Sequence, residues 1–270
     1  MTAAASPLAR EILDALDTGR RLDLPSQRPA GLSIDEAHAV ADDLRALRIA
    51  RGDRPVGRKI GFTNRAIWDE YRVWRPIWGD MWTSTVFEVL SGARVSIRHL
   101  AEPRIEPEIV IALAADLEPG MTTADIAARI DWYAHGYEIV QSIYPGWRFQ
   151  AADCIANGGM HGLMLVGPRV PVEEATRAAL PAALAAAEVT LLRDGTEMDR
   201  GTGANALDGP LEALRHLMEG LGSADGGPRL RAGEIVTTGT LTRAFPIEPG
   251  QTWTTRVAGI GLVGMDVTFD

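Results

Sequence analysis

The residues best suited to chemistry are acidic side chains in the segment EPRIEPEIVIALAAD, which begins at Glu102. Side chains at positions i and i+2 of a β-strand point to the same face, so Glu106 and Glu108 would project side by side, about 7 Å apart at their backbones. The apolar run 109–113 follows and predicts a buried strand. Two carboxylates at the mouth of such a strand need a cation or hydrogen bonds to stay ionised.

A third carboxylate, Glu138, lies in the strand-like run YEIVQSIY. An all-oxygen ligand set favours Mg²⁺ or Mn²⁺ and leaves positions for water and substrate, whereas Zn²⁺ would want His or Cys. The alternative is that Glu106 and Glu108 form the solvent-exposed face of an edge strand, with Pro107 marking that edge. The residues alone leave both interpretations open.

Two amphipathic helices are predicted ahead of these strands. The first has Ser6 as its N-cap and ends at Gly19, and the second begins with the capping box Ser33 and Glu36 and runs until Gly52. The segment LPSQRPAG joins them. The first fifty or so residues are therefore interpreted as a helical arm.

The period changes from residue 56 onward, where segments become short, β-branched and punctuated by glycine. The predicted strands are RIEPEIVIAL, GYEIVQSIY, GLMLVG, EVTLLRDGTEMD, GEIVTTGTL and WTTRVAGIGLVGMDVTF. A hairpin turn is predicted at Asp194-Gly195, and helices at about 122–131 and 209–221. Because strands and helices do not alternate regularly, the body is predicted to be α+β.

The composition of the chain argues against several classes of partner and environment. The net charge is −9, and no cluster of basic residues could bind a phosphate backbone, so nucleic acid is not expected. No apolar stretch reaches the length of a membrane span, and no secretory signal is recognised at the N-terminus. Cys154 is the only cysteine and cannot form an internal disulfide. These features predict a cytoplasmic protein.

Five segments, taken in order, resemble the 2-hydroxypenta-2,4-dienoate hydratase and 4-oxalocrotonate decarboxylase group of the fumarylacetoacetate hydrolase superfamily. GRKIGFTN is similar to the group's G-x-K-x-G-L-T-S, and EPEIVIAL to its Glu-x-Glu metal strand. YEIVQSIYPGW resembles the strand that supplies the third carboxylate, and DCIANGG resembles D-x-x-A-D-N. TTGTLTRAFPIEPGQ is similar to the T-G-S-L-T-G-x-x-P loop.

The resemblance implies a mixed β-roll of the fumarylacetoacetate hydrolase C-terminal type over residues 56–270, with residues 1–55 as an N-terminal helical arm, usually in a homo-oligomer. It also implies Mg²⁺ or Mn²⁺ held by Glu106, Glu108 and Glu138. The expected activity is a hydratase acting on a short 2-hydroxy-2,4-dienoate, a 2-oxo acid precursor, to give a 4-hydroxy-2-oxo acid in aromatic catabolism.

Two other activities are compatible with the same resemblance. The first is decarboxylation of a vinylogous 2-oxo diacid. The second is a catalytically reduced binding subunit of such an enzyme, which departures from the motifs within residues 72–87 suggest.

Lys59 is the only lysine in the chain, which is otherwise rich in arginine. Arginine cannot give up its proton at a useful pH, whereas a lysine desolvated near a metal can be tuned toward neutrality or act as an acid. Together with the resemblance, this predicts that Lys59 is the catalytic residue that transfers protons. The alternative is an ordinary lysine on a loop.

The substrate-binding residues implied by the resemblance depart in part from the group's motifs. Asn64 stands in place of serine, which makes Thr63 the stronger candidate for a hydrogen bond to substrate. Thr240 replaces serine and keeps a hydroxyl. Arg243 replaces glycine and either pairs with a second carboxylate of a diacid or faces solvent. Asn157 corresponds to the D-x-x-A-D-N segment, in register or one place off.

Two further residues are catalytic candidates. The acid of the group's P-D-x-G-x-L-x-x-x-M pattern falls at Ser84, and a shift of the loop would let Asp80 replace it. His161, on a glycine-rich turn, is interpreted either as a structural histidine or as a catalytic one near the pocket. Tryptophans 74, 78 and 82 recur every four residues, which predicts one face of a helix.

Overall fold

The computed structural model describes residues 5–65, 68–71, 73–221 and 230–270, and it has a mixed helix and sheet architecture. The helices are α1 (Pro7–Thr18), α2 (Ile34–Ala50), α3 (Trp68–Tyr71), α4 (Thr123–Ala127), α5 (Ala151–Ala156), α6 (Glu174–Arg177), α7 (Leu180–Ala186) and α8 (Pro210–Leu221). Short 3₁₀ turns lie at Pro25–Gln27, Pro145–Trp147 and Gly203–Asn205.

The described strands form two sheets. In chain order, the first seven strands are β1 (Pro55–Gly61), β2 (Ile77–Trp82), β3 (Val86–Glu88), β4 (Ala93–Val95), β5 (Arg104–Leu113), β6 (Ile130–Val140) and β7 (His161–Val166). The others are β8 (Val170–Pro171), β9 (Glu188–Arg193), β10 (Thr196–Thr202), β11 (Ile235–Thr240), β12 (Phe245–Pro246), β13 (Thr252–Ala258) and β14 (Asp266–Phe269).

The larger sheet has the order β2-β1-β11-β5-β6-β7-β3, with β12 pairing β5 and β8 pairing β6. The smaller sheet has the order β10-β9-β13-β14-β4. Parallel pairs, such as β1 with β11, occur beside antiparallel pairs, such as β5 with β6. Strand β5 lies between two neighbours for most of its length, which excludes the interpretation of Glu106 and Glu108 as the face of an edge strand.

Apolar side chains fill the space between the sheets and beneath the helices. Ile105 and Tyr137 of the larger sheet pack in one cluster with Trp253 and Phe269 of the smaller sheet. A second cluster joins α4, α7 and α8 to the larger sheet, and a third joins α1, α2 and α5. Burial of this apolar surface, which favours folding by about 25 cal/mol per Å², holds the strands that carry the acidic residues in place.

The N-terminal helices follow their sequence signals. The side chain of Ser6 accepts a hydrogen bond from the backbone N–H of Ala9, and α1 ends at Gly19 in the left-handed conformation. Ser33 and Glu36 form the predicted capping box of α2. The hairpin of β9 and β10 is also confirmed, with Asp194 and Gly195 both at positive φ, as a tight two-residue turn requires.

Three local predictions were wrong. The helix predicted over about 122–131 stops at Ala127, because pairing with β5 draws residues from Ile130 onward into β6. That strand ends at Val140 instead of continuing to residue 144. The C-terminal segment forms β13 and β14 with an intervening loop, in which Gly259 and Gly261 have positive φ.

The tryptophan pattern also has a different cause. Trp78 and Trp82 lie in β2, where an interval of four is an even interval and therefore keeps both on one face. Trp78 stacks on His38 of α2, with ring centroids 5.2 Å apart. Trp74 lies before the strand and is 66% exposed. Residue 72, the first of the predicted Trp-rich loop 72–87, lies outside the described residues.

None of the described helices has both the length and the apolar composition required to cross a membrane.

Asp53 connects the end of α2 to the turn after β2. Its Oδ2 atom lies 2.8 Å from Nη2 of Arg48 and accepts a hydrogen bond from the Ser84 hydroxyl at 2.7 Å, while Oδ1 accepts one from Thr83. Burial raises the pKa of Asp53, but the bonds from Ser84, Arg48 and Thr83 outweigh it and lower the pKa to about 2.

We expect Asp53→Asn to lower the free energy of unfolding at pH 7 by about 1–3 kcal/mol, because Arg48 loses its charged partner. Since the pKa is depressed on folding, the contribution of Asp53 is present above its ordinary value of 3.8 and is lost as the pH falls toward 2. Urea titrations should show the two proteins converging over that range. Asp23→Asn, at an exposed position, is the control.

Candidate active site

Strands β5 and β6 bring the three predicted carboxylates together. Glu106 pairs directly with Glu138 across the antiparallel ladder, and Glu108 lies two residues farther along the same face of β5. One oxygen from each of the three lies within 4.8 Å of the others. Glu108 and Glu138 are completely buried, and Glu106 is partly exposed.

Each buried carboxylate has one oxygen held and one oxygen left for another partner. Oε2 of Glu108 accepts a hydrogen bond from the backbone N–H of Gly239 at 2.8 Å, and Oε1 of Glu138 accepts one from Nδ1 of His161 at 2.9 Å. Within the described part of the chain, Oε1 of Glu108 and Oε2 of Glu138 accept no hydrogen bond, although the latter makes an ion pair with Lys59. Buried oxygens of this kind fit the all-oxygen coordination of Mg²⁺ or Mn²⁺.

Gly239 is required by its backbone as well as by its hydrogen bond. Its φ angle is +103°, and a Cβ atom there would lie 2.0 Å from Oγ1 of Thr63. Any other residue would be strained and would displace Thr63. The β11 backbone can therefore turn its N–H toward Glu108 only because this position is glycine.

The electrostatics of the cluster reflect burial and mutual repulsion. Burial, opposed by Lys59 and assisted by Glu138, raises the pKa of Glu106 to about 7. The pKa of Glu108 is raised well above its ordinary value, first by burial and then by the other two carboxylates. Burial also acts to raise the pKa of Glu138, but Lys59 and His161 outweigh it and the net direction is downward. Without a cation, the cluster cannot be fully ionised at low cost.

Lys59 lies in β1 with its side chain buried beside the cluster, and its Nζ atom is 3.1 Å from Oε2 of Glu138. Burial lowers the pKa of Lys59, but the charges of the three glutamates outweigh it and raise the pKa above its ordinary value. With no cation bound, the charges of the cluster therefore favour the ammonium form of Lys59 over the neutral amine that the sequence also allowed.

Glu106 brings the cluster to the surface of a cavity of about 360 Å³. Lys59 and Glu106 line it, together with the hydroxyl-bearing residues Thr63 and Thr240. A mostly apolar wall is formed by Phe62, Ile77, Val140, Trp147, Phe149 and Met160. The lining of the cavity therefore combines charged and hydroxyl-bearing side chains with apolar ones.

Four of the five predicted substrate-binding residues, Thr63, Asn64, Thr240 and Arg243, line this cavity. The hydroxyl of Thr240 donates to the carbonyl of Thr242 at 2.9 Å. Arg243 lies at the mouth, where its side chain is 74% exposed and its Nε donates to Asp199 at 3.0 Å.

Three other predicted residues line a second cavity of about 190 Å³ between α2, β2 and α5. Asp80 lies 2.6 Å from Nη1 of Arg58 and also pairs with Arg45, so the loop shift that would bring it to the glutamates does not occur. Asn157 accepts a hydrogen bond from the backbone N–H of Met160 and shapes the turn after α5. The third, His161, contacts Oε1 of Glu138 through its Nδ1 atom.

Sequence reasoning missed three contributors. Gly239 could have been identified from the sequence, because it is a glycine flanked by β-branched threonines. Thr85, whose hydroxyl lies 2.9 Å from Nε2 of His161, carried no signal. Arg104 precedes Glu106 by two residues on β5, lines the same cavity and stacks over Trp147 at 4.3 Å, so strand alternation could have identified it.

The family description "Fumarylacetoacetate (FAA) hydrolase C-terminal" matches residues 82–268, which include all three glutamates. The chain belongs to this family.

Two curated relatives in this family match over most of their length. The 2-hydroxyhexa-2,4-dienoate hydratase of Comamonas testosteroni is 29% identical over 262 residues, covering 96% of each chain. A 4-oxalocrotonate decarboxylase of a Pseudomonas species is 30% identical over 242 residues, covering 88% of each. A solved structure, 4-oxalocrotonate decarboxylase from Pseudomonas putida G7 complexed with magnesium and adipate, superposes with a TM-score of 0.88 at 27% identity, covering 97% of this chain and 96% of that one.

We expect Glu108→Gln to weaken Mn²⁺ binding by about 100-fold or more, because the amide removes a negative charge from the acidic cluster. Isothermal titration calorimetry of the metal-free protein measures this directly. Glu248→Gln, at an exposed position, is the matched control. Unchanged affinity in Glu108→Gln would show that the cluster does not hold the cation.

Proposed function

We propose that this protein is a divalent-metal-dependent hydratase that adds water to a short 2-hydroxy-2,4-dienoate and gives a 4-hydroxy-2-oxo acid. The proposal is supported by family membership and by relatives that are named hydratases of 2-hydroxyhexa-2,4-dienoate and 2-keto-4-pentenoate. The observation that carries it is the cluster of Glu106, Glu108 and Glu138 beside Lys59, next to a cavity that apolar side chains also line.

The three glutamates would hold Mg²⁺ or Mn²⁺, which supplies Lewis-acid stabilisation for the negative charge that develops on the substrate's oxygens. In the net reaction, the water oxygen and one hydrogen become the hydroxyl at C4. The 2-hydroxyl becomes a 2-oxo group, and its proton and the second hydrogen of water end on C3 and C5. At least one side chain in the cavity must therefore move protons to carbon.

Lys59 is the residue we assign to that proton movement. It is buried, it lines the cavity, and the surrounding carboxylates keep it protonated in the absence of substrate. A general acid of this kind contributes typically 10²–10⁴-fold to a rate. The ammonium also opposes the negative charge of the cluster, so its position is fixed before substrate enters.

The remaining cavity residues orient the substrate. Thr63, Asn64 and Thr240 line the same cavity as Lys59. The wall of Phe62, Trp147 and other apolar side chains excludes water from the hydrocarbon end of the substrate. Specificity for a dienoate would come from this separation of charged and apolar surfaces.

Three wider assignments belong to the same proposal. Residues 56–270 form the catalytic β-roll, and residues 1–55, which contain α1 and α2, form the helical arm. The enzyme acts on its small-molecule substrate in the cytoplasm, as part of aromatic catabolism. It works as a homo-oligomer.

A 4-oxalocrotonate-type decarboxylase is the second candidate, and the arginines of the cavity favour it. Arg104 and Arg243 both line the cavity and could hold the far carboxylate of a diacid. However, an ion pair stabilises the carboxylate in the ground state and opposes its loss as carbon dioxide. Arg243 is also bound to Asp199 and largely exposed. The hydratase therefore remains the first choice.

An ultraviolet assay with two substrates separates these functions. We expect the purified protein with Mg²⁺ to consume 2-hydroxypenta-2,4-dienoate without releasing carbon dioxide, and to lose this activity after chelation. Release of carbon dioxide from 2-oxo-3-hexenedioate at a higher kcat/KM would establish the decarboxylase instead. Metal binding without turnover of either substrate would support the catalytically reduced subunit.

We expect Lys59→Arg to keep the fold and Mn²⁺ binding but to lose at least about 100-fold in kcat, because a guanidinium keeps its proton and needs more room. Circular dichroism and calorimetry verify the fold and metal binding, and the dienoate assay gives kcat. Arg65→Lys, the reverse exchange at an exposed position paired with Asp208, is the control. Full activity in Lys59→Arg would remove lysine proton transfer from the mechanism.

A further inference from the structure

We infer that Thr85 and His161 form a positioning pair. Thr85 orients His161, and His161 binds one oxygen of Glu138 and leaves the second oxygen available to the cation. His161 is thus assigned no exchange of protons with substrate. This inference rests on the proposed function, because it concerns the same acidic cluster. Nothing in the names of the relatives assigns a role to either residue.

The contact with Glu138 is short and fully buried. His161 is the first residue of β7, adjacent to β6, and its side chain is only 5% exposed. Its Nδ1 atom lies 2.9 Å from Oε1 of Glu138. An ionised carboxylate can only accept hydrogen bonds, so Nδ1 must carry the proton in this contact.

Thr85 holds the other side of the imidazole. Its hydroxyl oxygen lies 2.9 Å from Nε2 of His161 and accepts a hydrogen bond from the backbone N–H of Trp82 at 3.2 Å. The backbone of Thr85 is itself fixed, because its N–H donates to Trp82 and its carbonyl accepts from Met164 of β7. The ring is therefore held at both nitrogens by groups that belong to the sheet and its turn.

The location of His161 separates positioning from proton transfer. Lys59, Glu106 and Thr63 line the large cavity, whereas the described residues around the second cavity include His161. The imidazole therefore contacts Glu138 from a cavity other than the one that Glu106 and Lys59 line. In this place His161 orients the carboxylate without lining the cavity assigned to the substrate.

Orientation matters because the last torsion of a glutamate is broad and nearly two-fold. With Oε1 bound to His161, Oε2 points toward Lys59 at 3.1 Å and accepts no hydrogen bond among the described residues. Glu108 is treated in the same way by the N–H of Gly239. Both buried ligands are thus aimed before a cation arrives, which lowers the entropic cost of binding it.

The test compares substitutions that remove or keep the donor near Glu138. In His161→Asn the amide nitrogen occupies nearly the position of Nδ1, whereas His161→Leu has no donor. We expect His161→Leu to weaken Mn²⁺ binding by about 10–100-fold and His161→Asn, which keeps the donor but loses the contact with Thr85, to weaken it only about 3–5-fold. Calorimetry and Mn²⁺ electron paramagnetic resonance on the substrate-free protein measure both.

A second pair of variants tests the hydroxyl of Thr85. Thr85→Val has nearly the same shape and should weaken Mn²⁺ binding several-fold, while Thr85→Ser should restore it. Thr196→Val, at an exposed position of β10, is the matched control and should bind as the wild type does. Because these exchanges are small, they keep the inference testable if His161→Leu does not fold.

Three outcomes would overturn the inference. Equal Mn²⁺ affinity in His161→Leu and wild type would show that no orientation is needed. A loss in His161→Asn as large as in His161→Leu would mean that the imidazole itself is required. A kcat that stays low in His161→Leu at saturating Mn²⁺ would indicate proton transfer. If wild type itself fails to bind Mn²⁺, the proposed function fails first, so the two failures are distinguishable.

Discussion

Repulsion among three carboxylates, two of them completely buried, is the constraint around which the larger sheet is organised. Their register on β5 and β6 prevents them from separating, and burial deprives them of water, so the neighbouring strands must supply compensation. Five consecutive strands of the sheet contribute to the cluster. In sheet order these are Lys59 from β1, Gly239 from β11, Glu106 and Glu108 from β5, Glu138 from β6 and His161 from β7.

This arrangement divides the ionisable residues into two groups with different tasks. At the acidic cluster, the single ammonium group of Lys59 pairs with Glu138 beside three carboxylates, which leaves negative charge for a divalent cation. Around the second cavity, Asp80 is matched by Arg58 and Arg45, and Asp53 by Arg48, so α2 is tied to β1 and to the turn after β2. Ion pairs of the second kind hold elements of the fold together. The positions of Asp80 and Glu138 therefore differ in chemistry although both residues are acidic.

Both ends of strand β5 were predicted correctly, because acidic and apolar side chains alternate in its first half and an apolar run forms its buried second half. The capped helices α1 and α2 were likewise predictable, since their signals are local. The wrong predictions involve contacts that are distant in sequence. Pairing with β5 places the end of a predicted helix in β6. The ion pair of Asp80 with Arg58, which the pattern of side chains along a strand does not reveal, holds this acid away from the site. Thr85 could not be found because its role depends on a contact with a residue 76 positions away.

The packing around Lys59 explains why arginine does not occupy this position. A Cβ atom at Gly159 would lie 3.0 Å from Cδ of Lys59, and one at Gly61 would lie 3.7 Å from its Nζ, so the chain runs between two glycines. A compact ammonium on a flexible stem can end in this space, whereas a planar guanidinium needs a wider one and five hydrogen-bond acceptors. Gly159 also has φ of +77°, which ties its identity to the turn after α5. The sole lysine of the chain is therefore a consequence of shape as well as of proton chemistry, since the same glycines that admit it keep its charge beside Glu138.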